Sequence, residues 1–182
     1  RILFEDTFEE TLSEFQSADW AITNGLTYWG RANTGENQSQ MLAMVFDLDG
    51  TTPATLRNFL GSAYNSDYLY YPVPQYIVMS GHNVHLYYVF EEPIDLYPSI
   101  KVQLKALKYA LTDRMWNQYT STEEKVQHQG INQGFRVVGG KTKKGGVVRA
   151  FRMDSHPVTV GELCEYVPSD AMVDLEERFH PS

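Results

Sequence analysis

Residues 41–48 run Met-Leu-Ala-Met-Val-Phe-Asp-Leu, an apolar stretch broken only by Asp47. A short run of this kind, followed by Asp49, Gly50 and two threonines, predicts a buried strand. Gln75 to Met79 and His85 to Phe90 have the same character and are separated by Ser80-Gly81-His82-Asn83. That turn-forming cluster predicts a β-hairpin. Pro98 to Tyr119 is patterned differently. Ile100, Leu104, Leu107, Leu111 and Met115 recur at helical spacing, which predicts the longest helix of the chain. Shorter helices are expected over Phe8 to Phe15, Thr159 to Tyr166, and Pro53 to Leu60. In the last, Pro53 sits in the first turn and Thr51 or Thr52 serves as cap. Asp19 to Gly30 mixes Trp20, Tyr28 and Trp29 with polar residues and reads as irregular or β. Phe135 to Val138 and Val147 to Phe151 read as strands joined by a glycine- and lysine-rich loop, a second hairpin. Beyond Tyr166 the chain turns acidic and is expected to fray.

A chain of 182 residues, 42% hydrophobic and 13% aromatic, has the composition of one globular domain with a sizeable core. Its single cysteine, Cys164, rules out an intrachain disulfide and fits a reducing, cytoplasmic setting. No apolar run is long enough to span a bilayer, so no membrane association is expected. The chain starts at Arg1 rather than methionine, as a fragment of a longer protein would.

The chemistry concentrates in two places. Asp47 and Asp49 lie two apart on a strand, hence on one face. Side-by-side carboxylates repel, and a cation between them relieves the repulsion. His85 stands at the mouth of a strand, beside the exposed backbone N–H groups of the turn. That arrangement suits an anion such as a phosphate. A metal site and a phosphate site together point to nucleotide chemistry.

These segments resemble, in order, the motifs of the archaeo-eukaryotic primase superfamily, the catalytic domains of primase-polymerases. Asp47-Leu48-Asp49 on its hydrophobic strand is similar to the first motif. Ser80 to His85 is similar to the second, a Ser-Gly-x-Gly-x-His followed by a strand, with Asn83 in place of a glycine. Phe135-Arg136 through Gly145 resembles the arginine- and glycine-containing segment after the third motif. The resemblance covers roughly residues 40 to 152 and is strongest toward proteins of plasmids and other mobile elements. It implies an α+β fold, with an RRM-like antiparallel sheet, flanking helices and a smaller N-terminal α/β unit. The site would lie in the cleft between the two parts. It also implies template-dependent nucleotidyl transfer by a two-metal mechanism. Asp47 and Asp49 would hold Mg2+ or Mn2+, and His85 would join them as a catalytic residue. Ser80, Asn83, His85, Arg136, Lys141 and Lys143 would bind the nucleoside triphosphate. The implied partners are a single-stranded DNA template or primer-template, with a helicase or DNA-recognition domain alongside. One element departs from the pattern. The third carboxylate belongs some ten residues before Arg136, but residues 125–134 contain no acid. His128 or Gln129 could fill that coordination position, or a more distant acid could fold in.

Net charge is −8, which at first disfavours a polyanionic partner. The distribution reverses that impression. Residues 101–152 hold eleven basic and three acidic side chains, a net of +8, and the remainder carries −16. Local fields steer ligands, so the basic segment is the expected nucleic-acid face. Lys101, Lys105 and Lys108 also fit the solvated face of a helix. Two other readings compete. Asp47 to Thr51 resembles the haloacid dehalogenase phosphatases, with Asp47 as nucleophile and Asp170 and Asp174 as a late acidic pair. The missing third acid equally fits a non-catalytic nucleotide- or DNA-binding module.

Overall fold

The computed structural model describes residues 7–18, 21–30 and 32–179. The expectation for Asp19 and Trp20 falls outside them. Helix α1 (Phe8–Ser17) is followed by two short strands, β1 (Ile22–Thr23) and β2 (Leu26–Tyr28), and by the long strand β3 (Gln38–Leu48). Helix α2 (Pro53–Ala63) leads to the hairpin β4 (Tyr76–Ser80) and β5 (Asn83–Asp95). Helix α3 (Pro98–Met115), β6 (Phe135–Arg136), β7 (Arg149–Arg152) and α4 (Val160–Cys164) complete the order. The result is an α+β fold around a five-stranded antiparallel sheet, β2-β3-β5-β4-β7. Beside it lies a two-stranded sheet, β1-β6. Helix α1 leans on this smaller unit: Gln16 Nε2 donates to the Val138 carbonyl at 3.0 Å.

Alternation divides the large sheet into two faces. Met44, Phe46 and Leu48 of β3 and Leu86, Tyr88 and Phe90 of β5 join the main core with Leu104, Leu107 and Leu111 of α3 and Phe59 of α2. The phenol of Tyr88 donates to the Pro72 carbonyl at 2.8 Å, which satisfies its hydroxyl inside the core. The opposite face carries Val45, Asp47, His85 and Tyr87 and is covered in part by Phe135.

The α2 cap is Thr52. Its hydroxyl accepts from the Thr55 N–H at 3.2 Å, and the Thr55 hydroxyl accepts from the Thr52 N–H at 2.8 Å. The β4–β5 turn has Gly81 at φ +69°, and no non-glycine described residue has positive φ. Asn83 therefore starts β5 in an ordinary strand conformation, and the glycine it replaces is not needed for the turn.

Three expectations are corrected. Phe135–Val138 and Val147–Phe151 do not form one hairpin: β6 pairs with β1, and β7 pairs with the edge of β4. Only the intervening loop turns back on itself, through a bridge between Lys141 and Val147. Lys108 is not on a wet face. It lies one turn from Leu104 and Leu111 on the apolar stripe and is 1% exposed. The segment after Tyr166 docks on α3 as far as it is described, with the Asp174 N–H donating to Gln103 Oε1 at 2.7 Å.

Candidate active site

Two turns at one end of the sheet define the site, and the sequence bolts them together. Thr51 donates its N–H and its hydroxyl to the carbonyl of His82, at 3.0 and 2.8 Å. The turn after β3 is thus tied to the turn between β4 and β5. A third loop locks Gly50. The Thr122 N–H and hydroxyl both donate to the Gly50 carbonyl at 2.9 Å, and the Ser121 hydroxyl donates to the Asp49 carbonyl at 2.5 Å. Gly50 has φ +64°, and a Cβ there would stand 2.6 Å from Thr122 Oγ1 and 2.9 Å from the Glu123 nitrogen. Only glycine fits both the torsion and the space.

Within this frame, Asp47 and His85 are directly opposite across the β3–β5 ladder. His85 Nε2 lies 3.6 Å from Asp47 Oδ1. The His85 ring also meets the edge of Phe135, with centroids 5.0 Å apart. Among the described residues, two buried polar side-chain atoms have no hydrogen-bond partner, Asp47 Oδ1 and His85 Nδ1. Buried polar atoms in folded proteins are nearly always paired. Two such atoms on residues that face each other across the ladder mark a candidate ligand site.

Electrostatics agree. Burial, then the neighbouring Asp49, pushes the Asp47 carboxyl up to about 7, opposed by the Gln129 side chain and Lys108. Asp49 is raised by burial and by Glu123, and held back by Lys143. Burial pulls the His85 imidazole down to about 4, so it is neutral at neutral pH. Two carboxylates that resist ionisation in the same corner suit a divalent cation, whose remaining ligands come from water and substrate oxygens. Among the described residues, no three His, Cys, Asp or Glu side chains form a closed metal cage. Carboxylate oxygens are the donor type of hard cations such as Mg2+ and Mn2+.

The other expected residues divide into two groups. Ser80 and Asn83 pair across the hairpin one row beyond His85, on the same face. Lys143 acts on Asp49, and Lys144 Nζ lies 3.4 Å from His82 Nε2. Arg136 is half-buried and donates through Nη1 to the Lys141 carbonyl at 3.0 Å. Its neighbour Phe135 takes the place against His85, so the guanidinium leaves the strand on the other side. Lys141 lies in the same loop, exposed. His128 is not brought to the carboxylates: its Nε2 lies 2.6 Å from Asp113 Oδ1 and its ring packs on Tyr109. It belongs to the outer side of α3, because Asp113 and Tyr109 are one turn apart there. Gln129, one residue on, is the member of that pair that reaches Asp47.

Two participants escaped the sequence reading. Glu123 comes to Asp49 from the loop that locks Gly50, ahead of the stretch where a third acid was sought. Lys108 donates to the Gly130 carbonyl at 2.9 Å, with its ammonium 5.7 Å from the rings of both Phe46 and Phe135. Burial lowers it to about 8, and Asp47 works against that shift. Its position between Leu104 and Leu111 was the available signal.

No protein-family model and no curated protein sequence matches the chain. A solved structure does. The AEP domain of the primase-polymerase of cyanophage S-2L superposes with a TM-score of 0.61 at 14% identity, over 91% of this chain and 78% of that one. The shared fold is that of a primase-polymerase AEP domain. The flanking helices and antiparallel sheet expected from the motif resemblance are therefore present. At this identity the likeness is one of fold, and the phage origin of the neighbour gives no support to a plasmid type in particular.

The late acidic pair that the phosphatase reading calls on is not brought to Asp47. Asp47 stands in an antiparallel sheet of the AEP kind, facing His85. Asp170 and Asp174 lie in the segment docked against α3, which packs on the opposite, covered face. Among the described residues, no helix is long and apolar enough to cross a membrane.

Proposed function

We propose that this chain is a catalytic domain for template-dependent nucleotidyl transfer, making primers, extending DNA, or both, in the replication of a plasmid or other mobile element. The observation that carries the reading is the direct opposition of Asp47 and His85 on the open face, each with an unpartnered polar atom. The fold likeness to a primase-polymerase domain supports it.

In this reading Asp47 and Asp49 would hold Mg2+ or Mn2+, which would supply charge neutralisation at the triphosphate and activation of the attacking hydroxyl, and Glu123, which acts on Asp49, would be the further acid of a two-metal form. Ser80, Asn83 and the Gly81–His82 turn present donors to the phosphates, one row from the carboxylates. Burial keeps His85 neutral, and it gains a proton or donates from one nitrogen as a phosphate arrives. The bolts from Thr51 and Ser121 keep these groups in place before substrate binds, so little ordering remains at the moment of reaction. Lys143, and Lys141 and Arg136 from their loop, neutralise the outer phosphates or the template backbone.

The test is a primer-template extension assay with Mn2+, supplied in turn with ribo- and deoxyribonucleotides. Wild type extends, and Asp47→Ala and Asp49→Ala lose at least about a thousandfold while keeping the wild-type circular dichroism. Undiminished extension by either variant would overturn the assignment. Nucleotide binding without any synthesis would favour the non-catalytic module instead.

A further inference from the structure

One row of the open face is not used by this chemistry. Tyr87 on β5, Tyr76 on β4 and Arg152 on β7 are consecutive partners across three strands. Residues directly opposite in antiparallel strands point to the same side. All three side chains therefore rise on the face that carries Asp47 and His85. The row next to it is Asp47, His85, Val78 and Ala150. Two residues of strand separate the rows, about 7 Å. Tyr76 is 40% exposed, and every residue of β7 is exposed, so this edge of the sheet is bare.

We infer that Tyr76 and Arg152, backed by Tyr87, form a binding subsite for single-stranded nucleic acid that enters the reaction centre along the β4–β7 edge. This deepens the proposed function by naming residues for its single-stranded partner. Three observations favour that occupant. A phenol ring exposed on a sheet gives a nucleobase a stacking surface, and the adjacent guanidinium supplies a phosphate contact or a cation over a ring. Between this row and the reaction centre Val78 of β4 is covered while Ala150 of β7 is exposed, so the open way in runs over β7. Charge is complementary along the track: Arg152 stands at one end, Lys143 and Lys144 reach Asp49 and His82 at the other, and Asp47 is the one carboxylate on these rows. A duplex would not gain from the site, because its bases are already stacked on one another. The triphosphate belongs at the other end, beside Ser80 and Asn83.

The experiment follows fluorescence anisotropy of an end-labelled twelve-nucleotide oligo-dT on the full chain across a salt series. A labelled nucleoside triphosphate with Mn2+ is measured in parallel. Tyr76→Ala is expected to weaken oligonucleotide binding about tenfold, and Tyr76→Phe to leave it near wild type, since stacking needs the ring and not the hydroxyl. Arg152→Ala is expected to weaken it and to reduce the slope of log affinity against log salt by about 0.7, one phosphate's worth for a single strand. Triphosphate binding should not change in either. An oligonucleotide with abasic residues should bind wild type and Tyr76→Ala equally. Wild-type affinity in Tyr76→Ala, an equal loss on the abasic strand, or no oligonucleotide binding by wild type would each overturn the subsite. Tyr76-dependent binding without any primer extension would leave it standing and remove the catalytic reading. Extension with Tyr76-independent binding would do the reverse.

Discussion

The two faces of the central sheet are written by the same strands, one residue out of phase, and obey different physics. Phe46, Leu86 and Tyr88 point into the helices, are almost fully buried, and have every polar atom satisfied or none to satisfy. Asp47, His85 and Tyr87 point the other way. There, burial leaves polar atoms without partners and drives Asp47 and His85 toward their neutral forms. One face lowers the free energy of the fold, and the other stores an unmet demand for a ligand. Adjacent residues should therefore fail in opposite ways when they are replaced.

The largest contrast is between positions 46 and 47. Phe46→Ala removes a core ring and should cost about 3–5 kcal/mol, seen as a large fall in melting temperature. Asp47→Asn should abolish extension and yet raise stability at pH 8. The sign follows from the raised carboxyl. A folded value near 7, above the usual 3.8, means a stabilising contribution present below pH 4 and lost as pH rises through 7. The gain in Asp47→Asn over wild type should therefore grow between pH 4 and 7 and level off above, at an order of about 1–4 kcal/mol. His85 works in the opposite sense. Its lowered value gives stability that is present above pH 6.5 and lost as pH falls through 4. Melting curves of wild type, Asp47→Asn and His85→Gln across pH 4–9 separate the two. A gain that shrinks with rising pH would refute the account of Asp47.

The tyrosine pair gives the next contrast. Tyr88→Phe strands the Pro72 carbonyl in the core and should cost about 1–2 kcal/mol. Tyr87→Phe should be close to neutral in the same denaturation experiment, because among the described residues no hydrogen bond of its hydroxyl supports the core. Equal losses would mean that the open face is packed as tightly as the covered one. Smaller still is Glu123→Gln. It removes a neighbour that raises Asp49, so the Asp49 carboxyl should titrate lower in a carboxylate NMR titration. An unchanged Asp49 would place Glu123 outside the site.

Much of this was legible in the sequence because it is local. The apolar run ending at Asp47, the Ser-Gly-His-Asn turn, the helical spacing from Ile100 to Met115 and the threonine cap before Pro53 all depend on neighbours within a few residues. What was not legible depends on pairing at long range. That Asp47 faces His85 is a matter of β3–β5 register across 38 positions. The partition of β6 and β7 between two sheets depends on which strand edges remain free, β1 and β4, and the intervening turn reads the same either way. Glu123 reaches Asp49 from an irregular loop with no period to read. Lys108 was legible in principle, since it falls between Leu104 and Leu111, but its charge outweighed its position.

The two-residue link Gly81–His82 has a consequence for how such a chain can change over time. Because neighbouring positions on β4 and β5 alternate between the two faces, the site is encoded in parity as well as in residue identity. A substitution at Val78 or Tyr87 alters one contact. Losing or gaining a single residue between Asn83 and His85 would send the imidazole into the helices and bring Leu86 out beside Asp47. Drift by replacement is tolerable here and drift by insertion is not. A fold kept over 91% of the chain at 14% identity is what that rule would leave behind.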